Sequence, residues 1–456
     1  MEYPHLVLIV IDTLRKDYAR LLEDELRRLG FVSYDNVIAP APWTIPSHAS
    51  IFTGFYPLLH GAHETRSKKS HEIRLSLSRM LLTNVLKTNY GYNNYLISSN
   101  PFVSPNFGFE GFDKYFDVSP LRVSFFSTEE LWCVQNLLKE EKGKIQVGLK
   151  LIRDRKFTLL SKATLWFFRK RLRKIKQRLS ITDWPLDKGL KNTLKIISTI
   201  KFDNPIFLFV NLMEVHYPYT VKDPPLQKLL AENLRTNALD KNLVKVWIER
   251  YAAEVEYVKG KLVNLFRKLR DKRVFDKSLI IITSDHGQLL GEHGRIDHGI
   301  FLYDELIRVP LFIKYPKDYD IEHEIPNETK YISLTKLKPF ILSILDNKLS
   351  SDRGLYENTV FSESYGIHDT PLINEIKKSI STEHENMNIE QLEKYRIGIY
   401  HKNFKGIFNV TDWRFEEVIS YDPKIEITED ILKQMKKEIV KFLKTATVVK
   451  LPKIKL

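Results

Sequence analysis

The stretch Leu6-Val7-Leu8-Ile9-Val10-Ile11-Asp12 sets an unbroken run of branched aliphatic residues directly before a carboxylate. A strand with one wet face alternates apolar and polar residues, whereas a continuous apolar run suits a strand covered on both faces. Ile206–Leu212 and Leu279–Thr283 read the same way, and Tyr95–Ser98 and Leu311–Lys314 are weaker versions. Helical spacing fills the intervals at Tyr18–Leu29, Ser76–Lys87, Leu190–Ile200 and Leu243–Lys268. Alternating buried strands and helices predict an α/β domain on a mostly parallel sheet.

In such sheets ligands gather beyond the carboxyl ends of the strands. Asp12 follows its strand at once, Asp285 follows Thr283 by two residues, and Glu214 and His216 follow the Ile206 strand. Polar candidates from remote parts of the chain thus fall at one edge. From about Tyr331 the character changes. Ile332–Leu345 reads as an apolar helix, Arg396–Tyr400 and Gly406–Val410 as short strands, Tyr421-Asp422-Pro423 as a turn, and Thr428–Thr445 as an amphipathic helix. Ser350–Asn388 is polar and reads as a long excursion. The expected division is residues 1–330 as a catalytic domain with a basic helical insert at about 140–180, and residues 331–456 as a small α+β C-terminal subdomain.

With 456 residues, 43% apolar and 28% charged, the chain is an ordinary globular protein able to bury a large core. Its single cysteine, Cys133, excludes an internal disulfide and a multi-cysteine zinc site, and reads as a packed hydrophobe. The start has no basic n-region, and no apolar stretch approaches the ~18 residues of a membrane span. A cytoplasmic protein is therefore expected, peripheral at the inner face of the membrane if it meets lipid at all. Lys142–Arg178 holds fourteen Lys or Arg and one acid, Asp154, so nearly all of the net charge of +14 lies there. A globally basic nucleic-acid binder is a poor description of such a chain. Within the segment Leu159, Leu165, Trp166, Phe167, Phe168, Leu172 and Ile175 interleave with Arg169, Lys170, Arg171, Arg173, Lys174 and Lys176. That pattern suits either a helical insert with its apolar residues on the core or a basic amphipathic helix on an anionic membrane surface.

Asp12, Asp285 and His286 would give a divalent cation two carboxylates and an imidazole. Thr44, in Pro42-Trp43-Thr44-Ile45-Pro46-Ser47-His48, would be a fourth ligand and the nucleophile. A bare hydroxyl is a poor nucleophile near pH 7, and a cation lowers its pKa. A helix entry at Pro46 or Ser47 would place Thr44 just before free amide N–H groups, which favour an anion. His48, His216, His298 and Arg15 are candidates to hold the ester oxygens, and His216 or His298 to protonate the leaving oxygen. Each has a plainer reading: Thr44 or Ser47 as a helix cap, Asp12 as a turn cap, and Glu292-His293 as a surface loop. Glu214 reads as a carboxylate that orients a histidine, with second-metal ligand as the alternative.

These residues resemble the sulfatase family of the alkaline phosphatase superfamily. LVLIVIDTLRKDY resembles its first strand and metal-binding aspartate. PWTIPSHASIFTGFYPLLHG resembles its nucleophile signature, and FLFVNLMEVHYPY the strand ending in a substrate-facing His-x-Pro-Tyr. IIITSDHGQLLGEHGRIDHGIFLYDELIRVPLF resembles its second metal motif. The blocks run from Leu6 to Phe312 in the family's order. The resemblance implies a three-layer α/β/α sandwich with a small C-terminal sheet. It makes Asp12, Thr44, Asp285 and His286 metal ligands, Thr44 the nucleophile, and His216 and His298 the groups on the transferred group.

The sequence departs from the family's pattern in two places. Sulfatases oxidise a cysteine or serine to formylglycine, which threonine cannot form because its β-carbon carries a methyl group. Threonine is the choice of relatives that act on phosphoesters. Thr13 replaces a second aspartate, and His286 stands where calcium-type members often have asparagine, which shifts the expected single ion toward Mn²⁺ or Zn²⁺, with Ca²⁺ and Mg²⁺ as alternatives. The expected activity is therefore hydrolysis or transfer of phosphomono- or phosphodiesters through a covalent Thr44 intermediate. Its competitors are sulfuric ester hydrolysis by unmodified Thr44 and an inactive binding protein of the same fold. The expected partners are an anionic ester and an anionic membrane surface at Lys142–Arg178, with no nucleic acid; oligomeric state is left open.

Overall fold

The computed structural model describes residues 3–64, 72–119, 126, 127, 130, 133, 134, 136–138, 141, 143–178, 185–220, 223–236, 238–324, 329–346, 351–367 and 390–446. Lys142, His71 and most of the Ser350–Asn388 stretch lie outside them. In chain order the strands are β1 (His5–Ile11), β2 (Val32–Tyr34), β3 (Val37–Ile38), β4 (Asn93–Ser98), β5 (Lys114–Asp117), β6 (Ile206–Leu212), β7 (Ser278–Thr283), β8 (Leu289–Leu290), β9 (Ile296–Asp297) and β10 (Leu311–Lys314). Seven of them form one sheet in the order β2-β10-β7-β1-β6-β4-β5. β1 lies at its centre, parallel to β6 and β7, and β10 alone runs antiparallel to its neighbours.

The apolar run of β1 is explained by what lies above and below it. Leu6, Leu8 and Val10 enter one core, with the helices Thr44–Thr53, Leu82–Tyr90 and Leu337–Leu345. Val7, Ile9 and Ile11 enter the other, with the helices Arg20–Arg28, Leu190–Thr199 and Lys241–Asp271. The fold is therefore the three-layer α/β/α sandwich, with both faces of the sheet dry. The Lys241–Asp271 helix begins where Asp240 accepts from Asn242 and Leu243 N–H, so the cap sets its start. The expected helix Ser76–Lys87 is instead a 3-10 turn at Ser78–Met80 followed by an α-helix from Leu82.

The C-terminal region is more tightly joined to this core than the division after residue 330 implies. β11 (Tyr331–Ser333) lies where a helix was expected and pairs with β3, and β12 (Tyr356–Glu357) flanks it. The helix Leu337–Leu345 packs in the main core. Beyond it β13 (Thr359–Ser364), β14 (Arg396–His401), β15 (Phe404–Asn409) and β16 (Arg414–Ser420) form an antiparallel sheet. The helix Glu429–Thr445, capped by Thr428, packs Ile431, Met435, Ile439 and Phe442 against it. β13 falls inside the stretch read as an excursion. Its polar residues hid it, because Ser362, Glu363 and Ser364 are buried.

Glu363 links the small sheet to the main domain. Its carboxylate accepts from Leu58 N–H and from the hydroxyls of Tyr365 and Tyr395. Burial, only partly offset by these bonds, pushes its pKa up to about 7 from 4.5. The folded protein then binds a proton that the unfolded chain releases, so this group's contribution falls as pH rises from about 4.5 to about 7. Glu363→Gln is expected to flatten that decline and to stabilise the protein by about 1–3 kcal/mol at pH 8. Urea midpoints from pH 5 to about 8 check it; parallel wild-type and variant curves would contradict it.

Candidate functional site

Three adjacent strands deliver the ligand-type side chains. Asp12 extends β1, its N–H donating to Leu212 O of β6 at 2.9 Å. Asp285, His286 and Gly287 follow β7, and His216 follows β6. Asp12, Asp285 and His286 are fully buried, and one atom from each lies within 4.8 Å of the others, a group that could hold a metal ion. Thr44 is the first residue of the helix Thr44–Thr53, two or three residues earlier than the expected entry, and Trp43 holds the cap position. Its Oγ1 lies 3.4 Å from His286 Nε2.

The hydrogen bonds around this group fix how each side chain is presented. His286 Nδ1 lies 2.9 Å from Gly287 O, an acceptor, so Nδ1 carries the proton and Nε2 offers its lone pair to the cluster. Asp285 Oδ1 accepts from His286 N–H at 3.0 Å and Thr13 N–H at 3.4 Å. Asn100 Nδ2, on the loop after β4, donates to Asp12 Oδ2 at 2.7 Å. That leaves Asp12 Oδ1 and Asp285 Oδ2 buried with no hydrogen-bond partner. Two orphaned carboxylate oxygens beside an imidazole lone pair and a hydroxyl are a donor set that fits a divalent cation.

Burial would raise the Asp285 carboxyl, but the His286 and His48 rings and the Thr13 N–H reverse this and hold it well below the usual range. Burial lowers His286 and keeps its ring neutral, against the pull of Asp285. Thr13 itself sits at φ 63°, strained for a β-branched residue. Tyr251 holds the turn, its hydroxyl donating to Thr13 O at 2.6 Å and accepting from Arg15 N–H.

His216 and His298 join the same cluster, ring centroids 5.2 Å apart, with His298 4.4 Å from His286. His216 Nδ1 lies 2.6 Å from Tyr217 O. His298 Nδ1 lies 2.9 Å from Asp297 Oδ1 and 2.8 Å from Gln288 Oε1. Both rings therefore keep Nε2 for a ligand. Burial lowers His216, partly offset by Asp12. Burial also acts against the His298 cation, but Asp297 outweighs it and raises that group.

Three expectations need correction. His48 is fully buried behind the cluster: Nδ1 contacts Thr44 O at 2.9 Å and Asp285 Oδ2 at 3.3 Å, while Nε2 meets Asn211 Nδ2. It positions Asp285 and is not placed to hold substrate. Arg15 spends its guanidinium on Asp17, Glu292 and Gln288 O, which ties down the loop after β7 and accounts for Glu292. Glu214 orients no histidine; its Oε1 accepts from Lys188 and Leu190 N–H at the start of the helix Leu190–Thr199. Lys188 instead supports the His216 loop, its Nζ donating to Glu214 O and His216 O.

Asn100, Lys188, Gln288 and Asp297 were missed. Asn100 could have been found from its place just past the strand Tyr95–Ser98, at the same edge as Asp12. Asp297 could have been found as the neighbour of His298.

The Sulfatase family model matches residues 4–347. The chain belongs to the sulfatase family. An N-acetylglucosamine-6-O-sulfatase of Bacteroides thetaiotaomicron is 45% identical over 58 residues, 13% of this chain and 10% of that protein. The phosphoethanolamine transferase EptA of Salmonella typhimurium is 31% identical over 136 residues, 28% of this chain and 24% of that protein. The chain thus spans a quarter or less of these two curated relatives. A solved 2-O GAG sulfatase shares the sulfatase fold at TM-score 0.63 and 12% identity, covering 98% of this chain and 93% of that one.

In this member of the sulfatase family, Gly287 sets how closely the loop after β7 packs. A Cβ there would lie 1.9 Å from Glu305 O, next to the strap from Gly287 N–H to Leu306 O. Gly287→Ala must push the loop away and move His286 with it. Turnover is expected to fall about tenfold or more although no ligand-type side chain is changed. Unchanged turnover would show that the loop tolerates the shift.

Proposed function

We propose that the chain is a hydrolase or transferase of anionic tetrahedral esters, with phosphoesters as substrates and Thr44 as nucleophile. The observation that carries this reading is the pair of orphaned oxygens, Asp12 Oδ1 and Asp285 Oδ2, buried beside Thr44 and the His286 lone pair. Asp12, Asp285, His286 and Thr44 Oγ1 would hold a divalent cation, Mn²⁺ or Zn²⁺ by their chemistry. Bound there, it supplies positive charge that favours the Thr44 alkoxide and offsets charge on the ester oxygens.

The chain's own groups account for the remaining steps. Thr44 Oγ1, its proton already released to solvent, forms the bond to phosphorus as the ester oxygen leaves. The protein's proton donor to that oxygen is His298, held in place by Asp297 and Gln288. His216 then takes the proton from water or an acceptor alcohol, whose oxygen displaces Thr44 Oγ1 from phosphorus as the alkoxide, and that proton passes to His298, 5.2 Å away between ring centroids, for the next turnover. The positive end of the Thr44–Thr53 helix dipole favours the anion throughout.

Phosphorus is preferred over sulfur because threonine cannot be converted to the formylglycine aldehyde. The partial likeness to a phosphoethanolamine transferase supports the same choice. A second reading, sulfate-ester hydrolysis by unmodified Thr44, is favoured by the 45% identity over 58 residues to a sulfatase. Matched aryl phosphate, aryl phosphodiester and aryl sulfate substrates, each assayed with Mn²⁺, Zn²⁺, Ca²⁺ and Mg²⁺, test the choice. Turnover of a phosphate ester at least about a hundredfold faster than the sulfate is expected; the reverse order would establish the second reading.

A further inference from the structure

The insert before the helix Leu190–Thr199 is built unlike the rest of the surface. Lys144–Arg153 and Phe157–Arg178 are two helices packed over a small core of their own that includes Val147, Leu151, Leu159 and Trp166. That core accounts for half of the insert's apolar residues. The other half faces outward. On the first helix Ile145, Leu149 and Ile152 are exposed, and Ile145 is 76% accessible. On the second Phe157, Leu165, Phe168, Leu172 and Ile175 are exposed. At about 100° per residue these five fall within about 80° of arc, opposite the buried Leu159, Ala163 and Trp166. Eight of the sixteen exposed large hydrophobics among the described residues thus lie between positions 145 and 175. Singly exposed apolar residues are ordinary, but a contiguous stripe calls for something to cover it.

Charge decides between the occupants. The segment carries fourteen Lys or Arg and one acid. A second copy of the chain would bring two such segments face to face, and like charges would oppose the contact. An anionic bilayer accepts both parts: the stripe enters the acyl boundary and the cations meet headgroups. None of the described helices is long and apolar enough to cross a membrane, so the stripe would lie on the surface. The placement suits this too. The insert follows β5, whose carboxyl end lies at the same sheet edge as the site loops, and Asn106 Nδ2 ties Phe126 O to the loop after Asn100.

We propose that the helical pair Lys144–Arg153 and Phe157–Arg178 docks the protein on an anionic lipid bilayer through its exposed apolar stripe and surrounding basic residues. Docking is independent of the chemistry proposed for the site and is read without it. The test is co-sedimentation of the full chain with vesicles of phosphatidylcholine alone and of phosphatidylcholine mixed with phosphatidylglycerol. Binding at least about tenfold tighter to the anionic vesicles is expected, and it should fall steeply with added salt. The triple substitution Leu165→Glu, Phe168→Glu and Leu172→Glu should lose about tenfold or more of it while keeping the wild-type melting temperature, because these side chains are outside the core. Equal binding to both vesicles, or undiminished binding of the triple variant, would overturn the proposal. So would a wild-type dimer, dissociated by the triple substitution, that ignores vesicles; the stripe would then be an interface between copies.

Discussion

Thr44→Ala is expected to lower kcat/KM by about a thousandfold or more, equivalent to about 4 kcal/mol of transition-state stabilisation. The substitution removes the one hydroxyl beside the His286 lone pair, 3.4 Å away, and little else. Trp43, not Thr44, holds the cap position, so the helix should persist and the folded fraction should match wild type. Thr44→Ser restores a hydroxyl and should recover activity to within about tenfold of wild type, which separates the oxygen's role from the methyl group's packing. Steady-state rates on an aryl phosphate with Mn²⁺ measure this. An alanine variant with near wild-type turnover would remove Thr44 from the chemistry.

Asp12→Asn and Asp285→Asn should each abolish most activity and the stabilisation of the protein by metal. Each carboxylate is fully buried and keeps one oxygen with no hydrogen-bond partner, available to a cation. In chelator-treated protein Asp285→Asn should also lose stability, because the fold favours the charged form of that carboxyl. The same change deletes an anionic ligand, so Mn²⁺ should raise the melting temperature of wild type and have little effect on the variants. Calorimetric titration with Mn²⁺ and melting curves with and without a chelator read both effects. Asparagine variants that still respond fully to Mn²⁺ would show that these residues are not cation ligands.

The central strands were legible because burial on both faces of a parallel sheet leaves an uninterrupted apolar run, as in Leu6–Ile11. The same logic placed Asp12, Asp285 and His216 at one edge, and the structure brings them together with Thr44 and His298. What stayed hidden depends on pairing rather than on local pattern. β2, β3 and β11 have two or three residues each and draw their hydrogen bonds from segments hundreds of positions away. β13 escaped because its buried polar residues find partners supplied by the fold, such as Leu58 N–H for Glu363. His48 and Arg15 were misassigned for a related reason. A polar side chain next to a site motif can equally serve as a brace, and only the identities of its partners distinguish the two roles.

The Thr44 hydroxyl and the charged cluster belong to different layers. Thr44 rides on a helix, whereas Asp12 and Asp285 are rooted in neighbouring strands, and Ser47 Oγ and His48 pin the helix to the Asp285 loop. An exchange at position 44 would therefore alter the proposed nucleophile while the carboxylates proposed to hold a cation stay where the sheet's register puts them. Descendants of such a scaffold could switch between esters of different central atoms by altering one replaceable cartridge, with no redesign of the frame that holds it.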